Sequence, residues 1–370
     1  MLSQKTERQY ISLMYKVLTM NNLNPLQWSF AQLTISMLCL FLPLSGYSQK
    51  DRVTLFDQLT YDDLLKVEIQ TDLKTLFEGN RFEDEYQDAN FLYKNADGDE
   101  ELFDMKLRLR GRFRRKNCAI PPIKLNFDKD DLEARGWKKD DQLKLVTPCV
   151  TGPEGREYIL REYLAYKIYQ LMHPIHYRAQ LIKLTLVDPE SNDKFKGWGI
   201  IIEDDEMLAK RWEMKRCQEC YSVETEKFNM SSLEATAIFQ YLVGNSDWSV
   251  ALNKNIELLY QVDEQKDTTY YVVPYDFDYT GFVNPGYAMP NSDYKLSSVR
   301  DRIYLSSLES PHPENGIQLL LEKKQAIIDL IKDFKRLPYD SRKDLIEYVE
   351  SCYTTLAEEG LNRPDNLIGN

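Results

Sequence analysis

After its first fifty residues, the chain begins with segments in which apolar and polar residues alternate. Every second residue is apolar in these segments, which is the period of a strand with one buried face. Shorter apolar runs of the same region fit strands that are more fully buried. The pattern therefore predicts a strand-rich region over about 60–205. The predicted strands are 66–70, 105–110, 123–127, 181–187 and 198–203.

Helical periodicity interrupts this region once, over residues 156–172. Leu160, Leu164, Ile168 and Leu171 recur at spacings of four, four and three and so form one apolar face. Glu157 lies near that face and needs a partner there. Arg161, four residues later, can supply it, and so can a lysine of the sheet.

The rest of the chain is mainly helical around one hairpin. Ser231 and Glu234 form a capping box that opens a helix ending at Gly244. Strands follow at 255–260 and 269–273, joined by the charged segment 263–267. Two more helices are predicted at about 315–335 and 341–359. The fold class is therefore α+β.

The first residues have the features of an export signal rather than of a folded domain. Three basic residues precede the uncharged run 33–44. Its twelve residues are fewer than the roughly 20 that cross a bilayer. Small residues at 45–48 end the run, which predicts a signal peptide over 1–48. An uncleaved anchor is the alternative. With the signal removed, we expect no stable membrane span and an exported protein, periplasmic, cell-surface or secreted.

Charge and cysteine content restrict the chemistry. The formal net charge of −12 argues against a nucleic-acid partner bound by phosphate neutralisation. Only three histidines are present, which leaves little room for a zinc site or for histidine-based catalysis. Cys217 and Cys220 have the spacing of metal ligands but lack a second pair. A local disulfide or two ordinary thiols is therefore the favoured interpretation.

Four polar residues surround the predicted hairpin. Asp247 lies just before it, Asn255 opens its first strand, and Asp276 and Asp278 follow its second strand. A hairpin brings these positions to one end of its ribbon. Clustered carboxylates repel one another unless a cation or a shared proton is present. Oxygen ligands alone favour Mg²⁺, Mn²⁺ or Ca²⁺ over zinc. The alternative is that each residue caps a turn or a strand end.

Along the chain, a helix is followed by a polar loop that carries Asp247, then by Asn255, the hairpin and Asp276. Phosphoryl-transfer sites have the same order of elements. With it, the chain resembles the CotH-type spore-coat kinase family and, more distantly, the HipA-type atypical kinases. The resemblance implies a two-lobed protein-kinase-like fold. A β-rich N-lobe would cover 49–205 and a mainly helical C-lobe, carrying the hairpin, 206–370. The similar segments are Arg110-Gly111 with 121–127, 160–165, 197–203, and 244–247 with 253–255 and 274–278.

The resemblance also implies roles for individual residues. Lys124 would contact the nucleotide phosphates, with Glu157 as its ion-pair partner, and Glu203 would lie near the base. Asp247 would be catalytic, and Asn255, Asp276 and Asp278 would bind the metal.

Two features depart from the family pattern. The basic segment 112–116 replaces the small polar residues that follow Arg-Gly in the family. The interval from Asp247 to Asn255 is longer than in ordinary protein kinases, so Asn253 competes with Asn255 for the metal.

The expected function is an exported kinase that uses ATP or another nucleotide with Mg²⁺ or Mn²⁺. It would phosphorylate a protein or another hydroxyl acceptor. The alternative is a secreted binding or structural protein without turnover, a pseudokinase, because the extracytoplasmic space is poor in ATP.

Overall fold

Seven strands of the first half of the chain close into a barrel in this computed structural model, which describes residues 52–305 and 313–361. The order around the barrel is β1-β2-β3-β4-β5-β7-β6, and a second sheet has the order β10-β9-β8. All pairs in the barrel are antiparallel except β1 with β6, which is parallel. The strands are β1 Leu65–Gln70, β2 Gln87–Lys94, β3 Glu100–Leu109, β4 Ile123–Phe127, β5 Gln142–Val146, β6 Ala179–Val187, β7 Lys194–Glu203, β8 Lys215–Arg216, β9 Ile256–Val262 and β10 Thr268–Pro274.

The alternation in the sequence becomes the inner and outer faces of the barrel. Buried and more exposed residues alternate along β1, β2 and β4, so the apolar residues fill the interior. Three aromatic rings meet there edge to face: Phe127 lies 5.3 Å from Phe91 and 5.6 Å from Phe103, measured between ring centroids. All five strands predicted over 60–205 are present in the barrel, whose β2 and β5 were not predicted.

The prediction of a two-lobed kinase-like fold, with a β-rich N-lobe and a mainly helical C-lobe, is wrong. The strands of the first half form a closed barrel instead, because β1 pairs with β2 on one side and with β6 on the other. Closure leaves the barrel without an edge strand. The second half also carries a three-stranded sheet beside its helices.

Eight α-helices lie in the part of the chain that the structure describes, with one π-helical turn, Thr75–Gly79, and two 3₁₀ turns, Thr225–Lys227 and Ser292–Tyr294. The helices are α1 Leu55–Leu59, α2 Arg112–Asn117, α3 Lys129–Ala134, α4 Gly152–Met172, α5 Asp205–Arg211, α6 Met230–Val243, α7 Pro313–Asp333 and α8 Tyr339–Glu358.

The long helices are close to their predicted positions but begin differently. α4 begins at Gly152, four residues before the predicted start, with a proline in its first turn, a position that proline favours. The predicted capping box at Ser231 is wrong. Asn229 is the N-cap of α6, because its side chain accepts a hydrogen bond from the Ser232 amide. α6 ends as predicted at Gly244, whose φ of +63° is left-handed.

A second apolar core holds α4 and α6 against the hairpin β9–β10. Phe277, the third residue after β10, is fully buried and lies 4.6 Å from Tyr166 and 5.1 Å from Phe239, between ring centroids. The backbone amide of Asp276 donates to Tyr166 Oη at 3.1 Å. These contacts fix Asp276 and Asp278, the neighbours of Phe277, relative to α4.

The predicted signal peptide, 1–48, lies outside the residues that the structure describes. Within 52–305 and 313–361, no helix combines the length and apolar character needed to cross a bilayer. The boundary predicted between 205 and 206 falls in the first turn of α5 and stays a prediction.

Candidate functional site

A cleft opens where the ends of β3, β5 and β7 approach the residues that follow β10. The cleft is narrow: the centre of a water-sized sphere can occupy about 40 Å³ of it, and about 440 Å³ is reached only when all space out to open solvent is counted. Cations and aromatic rings dominate its lining, and one carboxylate, that of Asp276, faces them. The lining residues are Arg110, Gly111, Arg114, Pro122, Lys144, Val146, Tyr166, Tyr177, Ile202, Tyr275 and Asp276.

Three carboxylates and one guanidinium meet at one side of this cleft. Asp276 and Asp278 follow β10, Glu162 comes from α4, and Arg114 comes from the short helix α2. Arg114 Nε lies 3.6 Å from Asp278 Oδ2, and Arg114 Nη2 donates to the Thr147 carbonyl at 2.9 Å. We call Glu162, Asp276, Asp278 and Arg114 the carboxylate cluster.

The electrostatics of the carboxylate cluster show an excess of negative charge. Burial, together with the neighbouring Asp278, raises the pKa of Asp276 to about 6. Burial also raises the pKa of Glu162 well above its ordinary value, against the pull of Arg114. Burial opposes the charge on Arg114, but the surrounding carboxylates outweigh it and raise its pKa. A proton or a further cation would therefore stabilise the cluster.

Lys144 lines the opposite side of the cleft. Its Nζ contacts the Asp205 carboxylate and lies 4.7 Å and 5.4 Å from the ring centroids of Tyr177 and Tyr275, within cation–π range. Burial lowers the pKa of Lys144. Burial alone would raise the pKa of Asp205, but Lys144, Tyr177 and Arg216 bring it to about 2.

Lys124, the predicted phosphate ligand, lies beside Lys144 but is not part of the cleft lining. The two lysines are cross-strand partners on β4 and β5. Lys124 Nζ lies 3.2 Å from Asp204 Oδ2, so each lysine pairs with one of two consecutive aspartates. Sequence reasoning missed Lys144, although residues 142–146 alternate in the same way as 123–127.

Glu157 and Glu203, the other residues assigned to nucleotide binding, are engaged by arginines. Arg161 Nη2 lies 2.7 Å from Glu157 Oε1, so Arg161 rather than a sheet lysine is the partner of Glu157. Glu203 is 0% exposed and binds Arg178 at 2.9 Å and Arg211 at 2.6 Å. Glu203 thus joins the end of β7 to the next helix.

Asp247 and Asn255 form a second polar group next to the hairpin. The Asp247 carboxylate contacts Lys254 Nζ through Oδ1 and accepts from Asn255 Nδ2 at 3.1 Å through Oδ2. Asn255 Nδ2 also donates to the Asp247 carbonyl, at 2.6 Å. Asn253, the rival candidate, has buried amide atoms without a hydrogen-bond partner.

The hairpin does not bring the predicted metal ligands together: Asn255 pairs with Asp247, the predicted catalytic residue, and lies apart from the side chains of Asp276 and Asp278. Asn255 precedes β9 and accepts from the Tyr275 amide at 3.1 Å, so it lies at the same end of the ribbon as Asp276. In the part of the chain that the structure describes, no hydrogen bond or ion pair joins the side chains of Asp247 and Asn255 to those of Asp276 and Asp278.

The carboxylate cluster has the oxygen atoms that a hard divalent cation prefers, but not in coordinating positions. Glu162 is 1% exposed, and its Oε1 is buried without a hydrogen-bond partner. Carboxylate oxygens are the ligands of Mg²⁺ and Mn²⁺. Among the described residues, no three His, Cys, Asp or Glu side chains stand in coordinating positions, and in the cluster the Arg114 guanidinium lies close to the carboxylates.

Two disulfides lie in the described part of the chain. Cys217 pairs with Cys220, which is the local disulfide of the favoured interpretation. Cys118 pairs with Cys149, a pairing that the sequence left open. The Cys118–Cys149 bond connects the C-cap of α2, the helix that carries Arg114, to the segment between β5 and α4. Cys352 is buried and free.

No protein-family model matches the chain, and comparison with curated proteins finds no match.

Proposed function

We propose that this chain is an exported, CotH-like kinase that transfers the γ-phosphoryl group of ATP or another nucleotide to a protein or other hydroxyl acceptor. One observation carries the proposal. A single cleft sets three cations, Arg110, Arg114 and Lys144, against the carboxylate of Asp276, which is the charge pattern that a metal-bound polyphosphate requires. The proposal rests on this cleft for nucleotide binding and on the family resemblance for the role of Asp247, and the two-lobed fold is not part of it.

The cations would bind and orient the nucleotide. Arg110 and Lys144 stand on the barrel side of the cleft, where they can pair with phosphate oxygens. Asp276 and Asp278 would hold Mg²⁺ or Mn²⁺, which supplies charge neutralisation on the phosphates when it is bound. The rings of Tyr177 and Tyr275 pack against Lys144 and keep it on the barrel side of the cleft.

Asp247 would act on the acceptor. Its carboxylate is held by Lys254 at one oxygen and by Asn255 at the other, so its orientation is fixed. In the transfer, the acceptor oxygen forms a bond to the γ-phosphorus while the bond from that phosphorus to the β–γ bridging oxygen breaks. The nucleoside diphosphate leaves, and the acceptor proton passes to the Asp247 carboxylate.

A secreted binding protein without turnover is the second candidate, because two contacts favour it. Arg114 already lies beside Asp278, and Lys254 already pairs with Asp247. Both carboxylates therefore have internal counter-ions. The two disulfides support export for either candidate, since such bonds persist in oxidising compartments.

Nucleotide binding and transfer can be tested separately. Melting temperatures would be measured with ATP, GTP and ADP, each with Mg²⁺ or Mn²⁺, in the wild type and in Asp276→Ala. A nucleotide at 100 times its Kd stabilises by about 2.7 kcal/mol, and we expect this only in the wild type. Incorporation of labelled γ-phosphate into casein and into the chain itself reports transfer.

The outcomes distinguish the candidates. Stabilisation with transfer supports the kinase. Stabilisation without transfer supports the binding protein. Absence of stabilisation by every nucleotide and metal contradicts nucleotide binding in this cleft. Equal stabilisation of folded Asp276→Ala would show that Asp276 is only a turn residue.

A further inference from the structure

A second cavity lies between α4 and α7, away from the cleft. The centre of a water-sized sphere can occupy about 860 Å³ of it, and none of its lining residues lines the cleft. Arg156, Tyr163 and Lys167 of α4 line one side. Leu330 of α7 and Phe334, directly after α7, line the other. We call this cavity the α4–α7 groove.

The groove is long enough for a helical segment. Arg156, Tyr163, Lys167 and Leu171 all line it, and they follow one another at spacings of seven, four and four residues. They therefore form one stripe along α4. At a rise of 1.5 Å per residue, this stripe is roughly 22 Å long.

Apolar side chains contribute much of the lining. The ring centroids of Tyr163 and Phe334 lie 5.8 Å apart, and Leu330 between the two helices is half-buried. Leu171, which the sequence analysis placed on the apolar face of this helix, is 37% exposed. These side chains have apolar surface left that a partner can bury.

The cations of the groove are not engaged by carboxylates. Among the described residues, no carboxylate lies in ion-pair distance of Arg156, Lys167 or Lys183, which all line the groove. Arg156 donates to a backbone carbonyl at 3.1 Å, and its guanidinium lies 4.8 Å from the ring centroid of Trp198. Lys183 Nζ lies 5.6 Å from the same centroid. The two cations thus meet at one aromatic ring.

The sign of the charge in the groove is opposite to that of the whole chain. Five basic and three acidic side chains line the groove, whereas the chain has a formal net charge of −12. Burial lowers the pKa of Lys167, and the nearby Asp63 does not fully offset this effect. An acidic ligand is therefore attracted to the groove although the chain as a whole repels it.

We propose that the α4–α7 groove binds an acidic amphipathic helix of a partner protein. Its apolar side chains would pack on Leu171, Leu330 and Phe334, and its carboxylates would pair with Lys167 and Lys183. The inference goes beyond the proposed function and does not depend on it, because the groove and the cleft share no residue.

Two features favour a helix over other acidic ligands. The closed barrel has no edge strand with which an extended peptide could pair, whereas a helix satisfies its own backbone and presents only side chains to a groove. A sugar ring would stack on an open aromatic face, but Arg156 and Lys183 already lie over the ring of Trp198.

The test uses a fluorescein-labelled peptide of about 16 residues, roughly 24 Å long as a helix. It carries leucine at positions i, i+3, i+4 and i+7 and glutamate beside them. Fluorescence anisotropy follows its binding to the full-length protein. The same peptide with Gln for every Glu is the control for charge. We expect the Glu peptide to bind at least about 10-fold more tightly, the effect of one charge-assisted hydrogen bond.

Variants of the protein locate the binding. Lys183→Glu, at an exposed position, should weaken binding of the Glu peptide by roughly 10-fold or more. Lys167→Gln and Leu171→Gln should each weaken it by roughly 3- to 10-fold, through lost charge and lost apolar contact respectively. Lys106→Glu, at an exposed position of β3 outside the groove, is the matched control for net charge and should bind as the wild type does.

Several results would overturn the proposal. They are absence of binding by the Glu peptide, equal affinity for the Glu and Gln peptides, and an equal loss in Lys106→Glu and Lys183→Glu. A lower melting temperature of Lys183→Glu with unchanged peptide affinity would show that its contact with Trp198 is only structural. Polygalacturonate, a polyanion without apolar side chains, gives a further check. If it binds through Lys183 and the Glu peptide does not bind, the groove is a polysaccharide site and the proposal is wrong.

Discussion

Lys124 and Lys144 differ in their surroundings although they are cross-strand partners. Lys144 lines the cleft between two tyrosine rings, whereas Lys124 pairs with Asp204 beside it. Both strands have the same alternating pattern, so the sequence does not tell which lysine reaches a ligand. The difference arises from tertiary contacts with α5 and with Tyr275, and it makes Lys144 the stronger candidate for a phosphate ligand.

Lys144→Met is expected to lower nucleotide affinity by roughly 10- to 100-fold, the effect of losing one charge-assisted hydrogen bond. Asp205 keeps Arg216 at 3.2 Å and the Tyr177 hydroxyl as partners, so the variant should fold. Lys124→Met is the matched control and should keep the wild-type affinity. Isothermal titration with Mg²⁺·ATP measures both. Loss of affinity in Lys124→Met alone would restore the role that the sequence analysis gave to Lys124.

Asp247→Asn should lower the rate of phosphoryl transfer by roughly 10²- to 10⁴-fold, the range for loss of a positioned general base. Affinity for nucleotide and for Mn²⁺ should not change, because no contact of Asp247 reaches Asp276 or Asp278 among the described residues. Single-turnover kinetics measures the transfer rate, and calorimetry on the same preparation measures the two affinities. A wild-type rate in this variant would show that Asp247 only caps the loop.

At the residue scale, the sequence indicated which residues are candidates for the site, but not which side chains they contact. The carboxylates after β10 and the aspartate before β9 were predicted to meet because a hairpin brings its two ends together, but among the described residues their side chains form two separate groups. Glu162 was not recognised as a site residue, since on a helical wheel it lies opposite the leucine face. Arg114, Asp276 and Asp278 approach Glu162 there from α2 and from the segment after β10, and that approach is a property of the whole fold.

At the scale of elements, α2 shows how a local pattern can mislead. Residues 112–116 are nearly all basic, which suggests a solvated loop, but the structure forms a helix with Arg114 buried. Three contacts hold this element: the disulfide at Cys118, the Thr147 carbonyl, and Arg81, which donates to the carbonyls of Arg115 and Cys118 at 2.6 Å and 2.7 Å. None of these partners lies close in sequence.

The two disulfides should differ in their contribution to stability. The Cys118–Cys149 bond spans 31 residues and the Cys217–Cys220 bond spans 3. In the loop-entropy account, removing the first by a double Ser substitution costs roughly 3–4 kcal/mol of unfolding free energy, and removing the second roughly 2 kcal/mol or less. Urea unfolding of the two double variants measures both values.

The same variants bear on function. Cys217→Ser with Cys220→Ser should leave any phosphoryl-transfer rate within a few-fold of the wild type, since neither residue lines the cleft. The Cys118 and Cys149 pair holds the helix that carries Arg114, so its loss should change Mn²⁺ affinity. Equal stability of the two double variants would contradict the loop-length explanation.

At the scale of the whole molecule, the barrel depends on pairings that no local pattern encodes. Val67 on β1 lies opposite Leu184 on β6, and these residues are far apart in the sequence. The alternation predicts which side of each strand is buried, but two strands of equal pattern can pair in either order. Closure is decided by the shared apolar interior, which is why five of the seven barrel strands were predicted and their arrangement was not.

The pH dependence of stability is also a property of the whole molecule. Groups in different places titrate over the same pH range, and their contributions to stability change in opposite directions. Burial lowers the pKa of His173 and of His176, and Arg211 adds to this effect at His176. The folded state therefore binds these protons less readily than the unfolded state, in which the pKa is about 6.5. Their contribution to stability is present above that pH and is lost as the pH falls through the folded-state values. Asp276 acts in the opposite sense, because its pKa is raised to about 6.

Comparison of variants separates the histidine contribution from that of the carboxylates. The wild type should lose stability from these histidines as the pH falls from about 7 to 5, whereas His173→Asn combined with His176→Gln should lack this loss. The Asn side chain can still accept from the Ile175 amide, as His173 Nδ1 does at 3.2 Å. Urea unfolding at several pH values gives the free energy for both proteins. The difference between their curves should change as the pH falls from about 7 to 5, since a pH-independent effect of the substitutions is constant and carboxylate titrations are common to both and cancel. Parallel curves across this range would contradict the prediction. They would mean that burial does not lower the pKa of either histidine, so that both are protonated as readily in the folded state as in the unfolded state.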